Sequence, residues 1–169
     1  MKKIEELKKE VSRLKELVKK YKYDYLTGLK LRLDFEDRLK EVELEVNYHD
    51  GLYTIVMIDL DNLHTINRTE GFEYGDKILK RLAVYLCDIF DPSDVYRIGG
   101  DEFYVIVKGK IDDSICERFS KIPIGITYAK VEVNQGDNDE HIFVDDVKKQ
   151  LDNKIILKKN KLKRRKNDR

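Results

Sequence analysis

The sequence predicts an α/β chain, an α+β sandwich in which helices flank a mostly antiparallel sheet, led by an N-terminal coiled-coil helix. Three observations carry this. Apolar residues at Ile4, Leu7, Val11, Leu14, Val18, Tyr21 and Tyr25 alternate steps of three and four without a break, the seam of a heptad helix. Beyond Gly28, β-rich apolar runs alternate with amphipathic helical runs, the order that lays helices over a sheet. The length, 169 residues, suits one domain of ordinary size and excludes two large ones.

In the first segment Lys and Glu fill nearly every position between the seam residues. A helix with so narrow an apolar stripe does not bury it alone. Val at two positions of one seam class and Leu at two of the other predict pairing with a second copy as a parallel two-stranded coil. The alternative is that the stripe packs on its own domain, which the off-seam Leu17 favours. Thr27 and Gly28 then break the helix at a short hinge, before an amphipathic run from about Lys30 to Val46. Residues 52–60, LYTIVMIDL, read as a buried central strand ending on an acid. A short helix follows from Asn62 to Arg68, then a break at Gly71 and Gly75, then a helix from about Asp76 to Phe90 whose apolar face is Ile78, Leu79, Leu82, Leu86 and Ile89. Val95–Ile98 and Phe103–Val107 read as a hairpin around Gly99-Gly100-Asp101-Glu102. Asp112–Lys121 is expected as a short helix, Pro123–Val133 as a strand and Asp145–Lys163 as the last helix.

Composition narrows the function classes. With 41% hydrophobic and 40% charged residues the chain is too apolar for disorder, and nothing approaches the roughly 18 apolar residues of a membrane span. The start MKKIEELKKEVSRL has no apolar core behind its charges, so it is not a secretory signal and the expected compartment is the cytoplasm. Cys87 and Cys116 lack CxxC spacing and are expected as buried thiols without chemistry. The net charge of +1 hides an asymmetry, since residues 154–169 hold nine Lys or Arg and one Asp. This basic end is either a polyanion contact or a solvated terminus.

The acids carry the chemistry. Asp59-Leu60-Asp61 and Asp101-Glu102 end separate apolar strands. Central strands lie about 4.8 Å apart, so carboxylates at both tips can share one divalent cation. Strand ends are also commonly acidic for no such reason. Gly99-Gly100 permits φ > 0 and clears side chains from a surface a base or phosphate approaches.

The string Arg97-Ile98-Gly99-Gly100-Asp101-Glu102-Phe103 resembles the signature loop of the GGDEF family, the diguanylate cyclases that condense two GTP into cyclic di-GMP. Asp24-Tyr25-Leu26-Thr27-Gly28-Leu29 resembles that family's D-x-L-T-G-L motif. Ile58-Asp59-Leu60-Asp61 through Ile66-Asn67, and Gly71 to Gly75-Asp76, resemble its D-x-D-x-F-K-x-I-N-D-x-x-G-H-x-x-G-D segment. Ile124-Gly125-Ile126 is similar to its S-I-G-I strand. The match covers about residues 24 to 130, in order.

The resemblance implies a palm-like central sheet and a division into a coiled-coil dimerisation helix (1–25), a GGDEF catalytic domain (26–163) and a basic tail (164–169). It implies Mg²⁺ as cofactor, with Mn²⁺ as an alternative, held by Asp59, the Leu60 carbonyl and Asp101. Asp101 or Glu102 would help deprotonate the ribose 3′-hydroxyl that attacks the α-phosphate of a second GTP. Asn67 and Asp76 match the positions that read guanine, whose donors suit an amide and a carboxylate. Losing either is expected to cost about 1–3 kcal/mol, and Asp76 favours two guanines over a mixed product. Gly99 and Gly100 would line the GTP site. The expected partners are GTP and a second copy of the chain through the coil, with no membrane segment, no sensor domain in the chain and no nucleic acid.

Departures from the pattern fall in three places. Asn62-Leu63-His64 stands where the family has its Phe-Lys. His64 can then stabilise phosphates when protonated or as a neutral donor, which predicts low turnover near pH 7. Phe72 replaces a His near guanine, keeping a stacking surface. In the C-terminal A-D-x-A-L-Y-x-A-K-x-x-G-R-N segment, Asp152 and Lys159 match while Lys163 stands in the Arg place, a point charge for a bidentate fork. The segment from Val107 to Pro123 is shorter than the family's, and Asp91-Pro92-Ser93-Asp94 lacks the Arg of the inhibitory R-x-x-D site, so no feedback inhibition is expected there. The leading reading is an active, Mg²⁺-dependent diguanylate cyclase. The alternative is a catalytically weak or inactive GGDEF domain acting as a GTP-binding or interaction module. A third is a coiled-coil structural protein whose basic tail binds nucleic acid.

Overall fold

In the computed structural model, which describes residues 2–112, 114–135 and 141–167, the first helix, α1 (Lys2–Lys22), stands outside the packed body. Its seam residues Ile4, Leu7, Val11, Leu14, Val18 and Tyr21 are all exposed, so the stripe does not pack on its own domain. Tyr25 falls off this seam although its spacing fits: the helix has ended and Tyr25 projects from a turn, 95% exposed. The cause is local. The Asp24 carboxylate accepts hydrogen bonds from the Thr27 backbone N–H (2.9 Å) and hydroxyl (2.6 Å), a side-chain alternative to continuing the helix. Gly28, at φ 74°, takes the left-handed position this turn requires. The expected hinge is therefore a braced turn, closed by the Tyr23–Lys30 bridge.

The body has three layers. The central sheet contains β1 (Tyr53–Leu60), β2 (Val95–Arg97), β3 (Glu102–Lys108) and β4 (Ile126–Val133), in spatial order β2-β3-β1-β4 with every strand pair antiparallel. Every residue of β1 is buried because it is central and covered on both faces. Tyr53, Ile55 and Met57 point to α2 (Arg32–Tyr48) and α6 (Val144–Asn167), joining Phe35, Leu39, Val42, Val147, Leu151 and Ile155. Val56, Ile58 and Leu60 point the other way, to α4 (Phe72–Ile89) and the short α5 (Ser114–Ser120), joining Leu79, Leu82, Leu86 and Phe119. This alternation fixes the register, since a slip of one residue exchanges the two faces.

Between β1 and α4 runs α3 (Leu63–Glu70). The break before α4 is Gly71 alone, at φ 89°. Gly75, expected as a second break, lies buried inside α4, where its missing side chain answers to packing across the helix pair. Helix α6 runs to Asn167 without a break at residue 163. Cys87 is half-buried rather than fully buried, and burial pushes its thiol up, with Asp88 and Asp91 acting the same way. The side chain of Cys116 lies outside the described residues.

At the opposite end of the sheet from the acids, Tyr53, the first residue of β1, donates a hydrogen bond to Glu45. Arg38 (3.4 Å) and Lys108 (3.2 Å) pair with the same carboxylate. The Tyr53 hydrogen bond first, helped by both cations against burial, holds Glu45 down to about 2. A depressed carboxylate stabilises the fold above its unfolded value, near 4.5, and that contribution is lost as pH falls toward 2. Glu45 is a third exposed, so solvent screening reduces the contribution to roughly 1 kcal/mol. Denaturant titrations of the parent and Glu45→Gln are expected to differ by that amount at pH 7 and to converge near pH 2.

Candidate active site

The acids predicted at two strand tips meet. Asp59 is the cross-strand partner of Glu102 on β3 and of Thr127 on β4, so all three side chains share the face that carries α6. Glu102 lies within β3 rather than in the turn. The turn is Ile98 to Asp101, and the Leu60 N–H donates to the Asp101 carbonyl at 2.9 Å. On β4, Thr127 Oγ1 donates to Asp61 Oδ1 at 2.7 Å, fixing a further carboxylate on that face.

Helix α6 supplies the opposing charge. Val147, Leu151 and Ile155 are buried at four-residue steps. The next step places Lys159 Nζ 2.6 Å from Asp59 Oδ1, and the one after places Lys163. The core stripe of the helix thus becomes cationic where β1 becomes acidic. Lys159 and Lys163, with Asp61, Asn62 and Leu162, line a pocket of about 380 Å³.

The acids feel one another. Burial raises the Asp59 carboxyl; Lys159 opposes this, while Asp101 and Asp61 add to it. Burial also raises Glu102, with Asp101, Asp59 and Asp152 reinforcing and Arg32 opposing. A carboxylate held up by desolvation and like charges is poised to take a proton.

Neither Gly99 nor Gly100 adopts positive φ, and a β-carbon at 100 would meet nothing within 4 Å. A β-carbon at 99 would sit 3.1 Å from Glu102 Oε2, so Gly99 leaves room for that carboxylate. The Gly100 carbonyl accepts a hydrogen bond from Arg97 Nη2 at 2.8 Å, and Arg97 Nη1 pairs with Asp24 at 2.7 Å. Both partners of that pair are about nine-tenths buried, so Arg97 ties the turn after α1 to the loop beside the acids.

At the far side, Asn67 on α3 lies across Gly75 on α4. A β-carbon at 75 would fall 1.8 Å from Asn67 Oδ1, and that oxygen is buried without a hydrogen-bond partner among the described residues. Asp76 is half-buried next to it in sequence, and Phe72 is 77% exposed at the start of α4. His64 is exposed on α3, and its imidazole makes no hydrogen bond or ion pair among the described residues. Asp91-Pro92-Ser93-Asp94 forms a turn in which Asp91 Oδ1 accepts from the Ser93 N–H at 2.8 Å.

The family described as "Diguanylate cyclase, GGDEF domain" matches residues 21–144. The chain belongs to the GGDEF domain family. It is 36% identical over 99 residues to the diguanylate cyclase DgcS of Shewanella oneidensis, covering 57% of this chain and 33% of that protein. It is 30% identical over 96 residues to an uncharacterised membrane protein of Staphylococcus aureus strain USA300, covering 56% and 27%. The match thus spans between a quarter and a third of the length of these curated relatives. Among solved structures, the coiled coil and GGDEF domain of DgcB from Caulobacter crescentus, in complex with c-di-GMP, superposes with a TM-score of 0.80 at 18% identity, covering 94% of this chain and 91% of that one. The α1 helix and the all-antiparallel sheet of this GGDEF domain match that fold. No helix among the described residues is long and apolar enough to cross a membrane.

Two positions beside these acids are not legible from sequence alone: Arg97, whose partner Asp24 is 73 residues away, and Thr127, which reaches the acids only through the pairing of β4 with β1. Asp61, read from sequence as part of the acidic strand end, is held there by Thr127.

Proposed function

We propose that this GGDEF domain is a diguanylate cyclase, condensing two GTP into cyclic di-GMP and pyrophosphate, with one GTP bound by each subunit of a homodimer. The observation that supports it is the meeting of Asp59, Glu102 and Lys159 at one end of the sheet, beside a pocket that also holds Lys163.

The donor set suits Mg²⁺. Among the described residues no three His, Cys, Asp or Glu side chains close on one point, so these residues form no complete cage by themselves. Magnesium takes one or two carboxylates and completes its shell with water and phosphate oxygens. Asp59, Asp101 and the Leu60 carbonyl are hard oxygen donors of this kind. Once bound, the ion would neutralise phosphate charge and ease loss of a hydroxyl proton.

The chain's own groups do the rest. Lys159 and Lys163 line the pocket that receives the triphosphate. The unpartnered Asn67 oxygen accepts a guanine N–H donor, and Asp76 a second. Glu102 takes the ribose 3′-hydroxyl proton as that oxygen bonds to the α-phosphorus of the facing GTP and the bond to the β-phosphate oxygen breaks, releasing pyrophosphate. Two such transfers close the ring. Half of the reactants sit on each subunit, so dimerisation through the exposed seam of α1 supplies the encounter.

Incubation with GTP and Mg²⁺, followed by chromatography and mass spectrometry, is expected to yield cyclic di-GMP and pyrophosphate, and neither when EDTA removes the metal. Bound GTP with no product would assign the chain to a nucleotide-binding module instead. A second expected result concerns Gly75→Ala. The new methyl displaces Asn67, and GTP affinity by calorimetry is expected to fall about 10- to 100-fold, with an unchanged circular dichroism spectrum.

A further inference from the structure

We propose that in the nucleotide-free protein the Lys159 ammonium serves as the counter-cation of Asp59 and excludes divalent metal from it, and that a bound triphosphate releases Lys159, making metal binding at Asp59 dependent on nucleotide. This rests on the site assignment above and adds an order of events to it.

The argument begins with charge and space. Asp59 is 6% exposed, so its carboxylate meets little bulk water and needs a compensating charge. That charge is Lys159, 2.6 Å from Oδ1. Asp61 and Asp101 are near enough to destabilise the Asp59 anion, and Glu102 faces it across the strand pair. An acid cluster of this kind attracts divalent metal, yet at Asp59 the place is taken by a tethered cation. A metal ion and an ammonium cannot both contact one buried carboxylate oxygen without repelling each other.

Lys159 also has somewhere to go. Its side chain is about a third exposed, and it lines the same pocket as Lys163 and Asn62. Four rotatable carbons let the ammonium swing from a carboxylate to a phosphate oxygen while α6 stays fixed. A triphosphate in that pocket offers the ammonium several anionic oxygens in exchange for one. The freed carboxylate is then available to the metal that accompanies the nucleotide. Because coupling is reciprocal, nucleotide then raises metal affinity by the same factor by which metal raises nucleotide affinity.

The test is Mn²⁺ binding without nucleotide, read by the electron paramagnetic resonance signal of free Mn²⁺. Lys159→Met removes the charge while keeping most of the side chain's bulk, and is expected to bind Mn²⁺ about tenfold tighter than the parent, within the usual range of such couplings. Adding Asp59→Asn to Lys159→Met is expected to abolish the gain. Lys163→Met deletes an equal charge from the same pocket away from Asp59, and is expected to change Mn²⁺ affinity by less than about twofold. An equal gain in Lys163→Met, or none in Lys159→Met, would overturn the proposal.

A measurement on the unaltered protein guards against a misfolded variant. The ¹⁵N signal of the Lys159 ammonium is expected to be unmoved by Mg²⁺ alone and to shift when a non-hydrolysable GTP analogue is added with Mg²⁺. Displacement by Mg²⁺ alone would also overturn the proposal. Neither readout needs turnover. If no cyclic di-GMP forms but Lys159→Met still gains Mn²⁺ affinity, only the proposed reaction fails. If product forms without that gain, only this inference fails.

Discussion

Replacing Glu102 by Gln is expected to lower the rate of cyclic di-GMP formation by about 10²- to 10⁴-fold, the usual contribution of a positioned general base, with GTP affinity nearly unchanged. In the proposed reaction Glu102 takes this role because of where β3 places it. It is opposite Asp59 in register, half-buried, and raised first by burial and then by Asp101 and Asp59. The amide keeps the shape and the contact with Gly99 but cannot take a proton.

The pH profile supplies the sign. The proposed base works only when deprotonated, so activity of the parent is expected to fall as pH drops through the raised value of Glu102, above its ordinary 4.5. In Glu102→Gln that acid limb is expected to disappear from the residual rate, measured with saturating GTP and Mg²⁺. A variant that is slow at every pH yet keeps the limb would move the proton-accepting role to another group.

How much of this site is legible in the sequence depends on the range of the interaction that makes it. The run LYTIVMIDL reads as a buried strand because both faces of β1 are covered, which removes the polar alternation an exposed strand would show. The Lys159 position is legible in the same way: the four-residue step from Leu151 through Ile155 extends the core stripe of α6 straight into the cations. Local competition is harder to see. The heptad spacing runs through Tyr25, but the Asp24 carboxylate binds Thr27 and ends the helix first.

Tertiary causes leave less trace. Gly75 looks like a helix breaker until Asn67 is found lying across it. Gly99 looks like a turn residue until the Glu102 carboxylate is found beside it. Strand pairing decides that Glu102 belongs to β3 and faces Asp59, and no local pattern encodes that register. In each case the residue type was informative, and the partner that explains it comes from another element or from the pairing of strands.

Charging the coil seam is expected to cost nearly as much as removing the base. In Val11→Glu with Val18→Glu, the two positions are 48% and 51% exposed on a single chain, so the body should fold with an unchanged denaturation midpoint. Facing a second copy, the same four carboxylates would be buried against one another, which a coiled-coil seam does not tolerate. The variant is expected to run as a monomer by light scattering. A coil holds its two domains at an effective concentration near millimolar; at micromolar protein the unlinked encounter is far rarer, so the rate per subunit should fall by up to about 10³-fold and become dependent on protein concentration.

The link from coil to site is short enough for its orientation to matter as well as its strength. Lys22 at the end of α1 pairs with Asp34 on α2 at 3.3 Å, and two residues on, Asp24 pairs with the Arg97 that holds Gly100. A foreign parallel coil fused in the original heptad phase at Lys22 is therefore expected to restore the rate, and one fused with a single-residue offset to restore the dimer but not the rate. Equal recovery by both fusions would mean that proximity alone, without alignment of the two faces, is all the coil supplies.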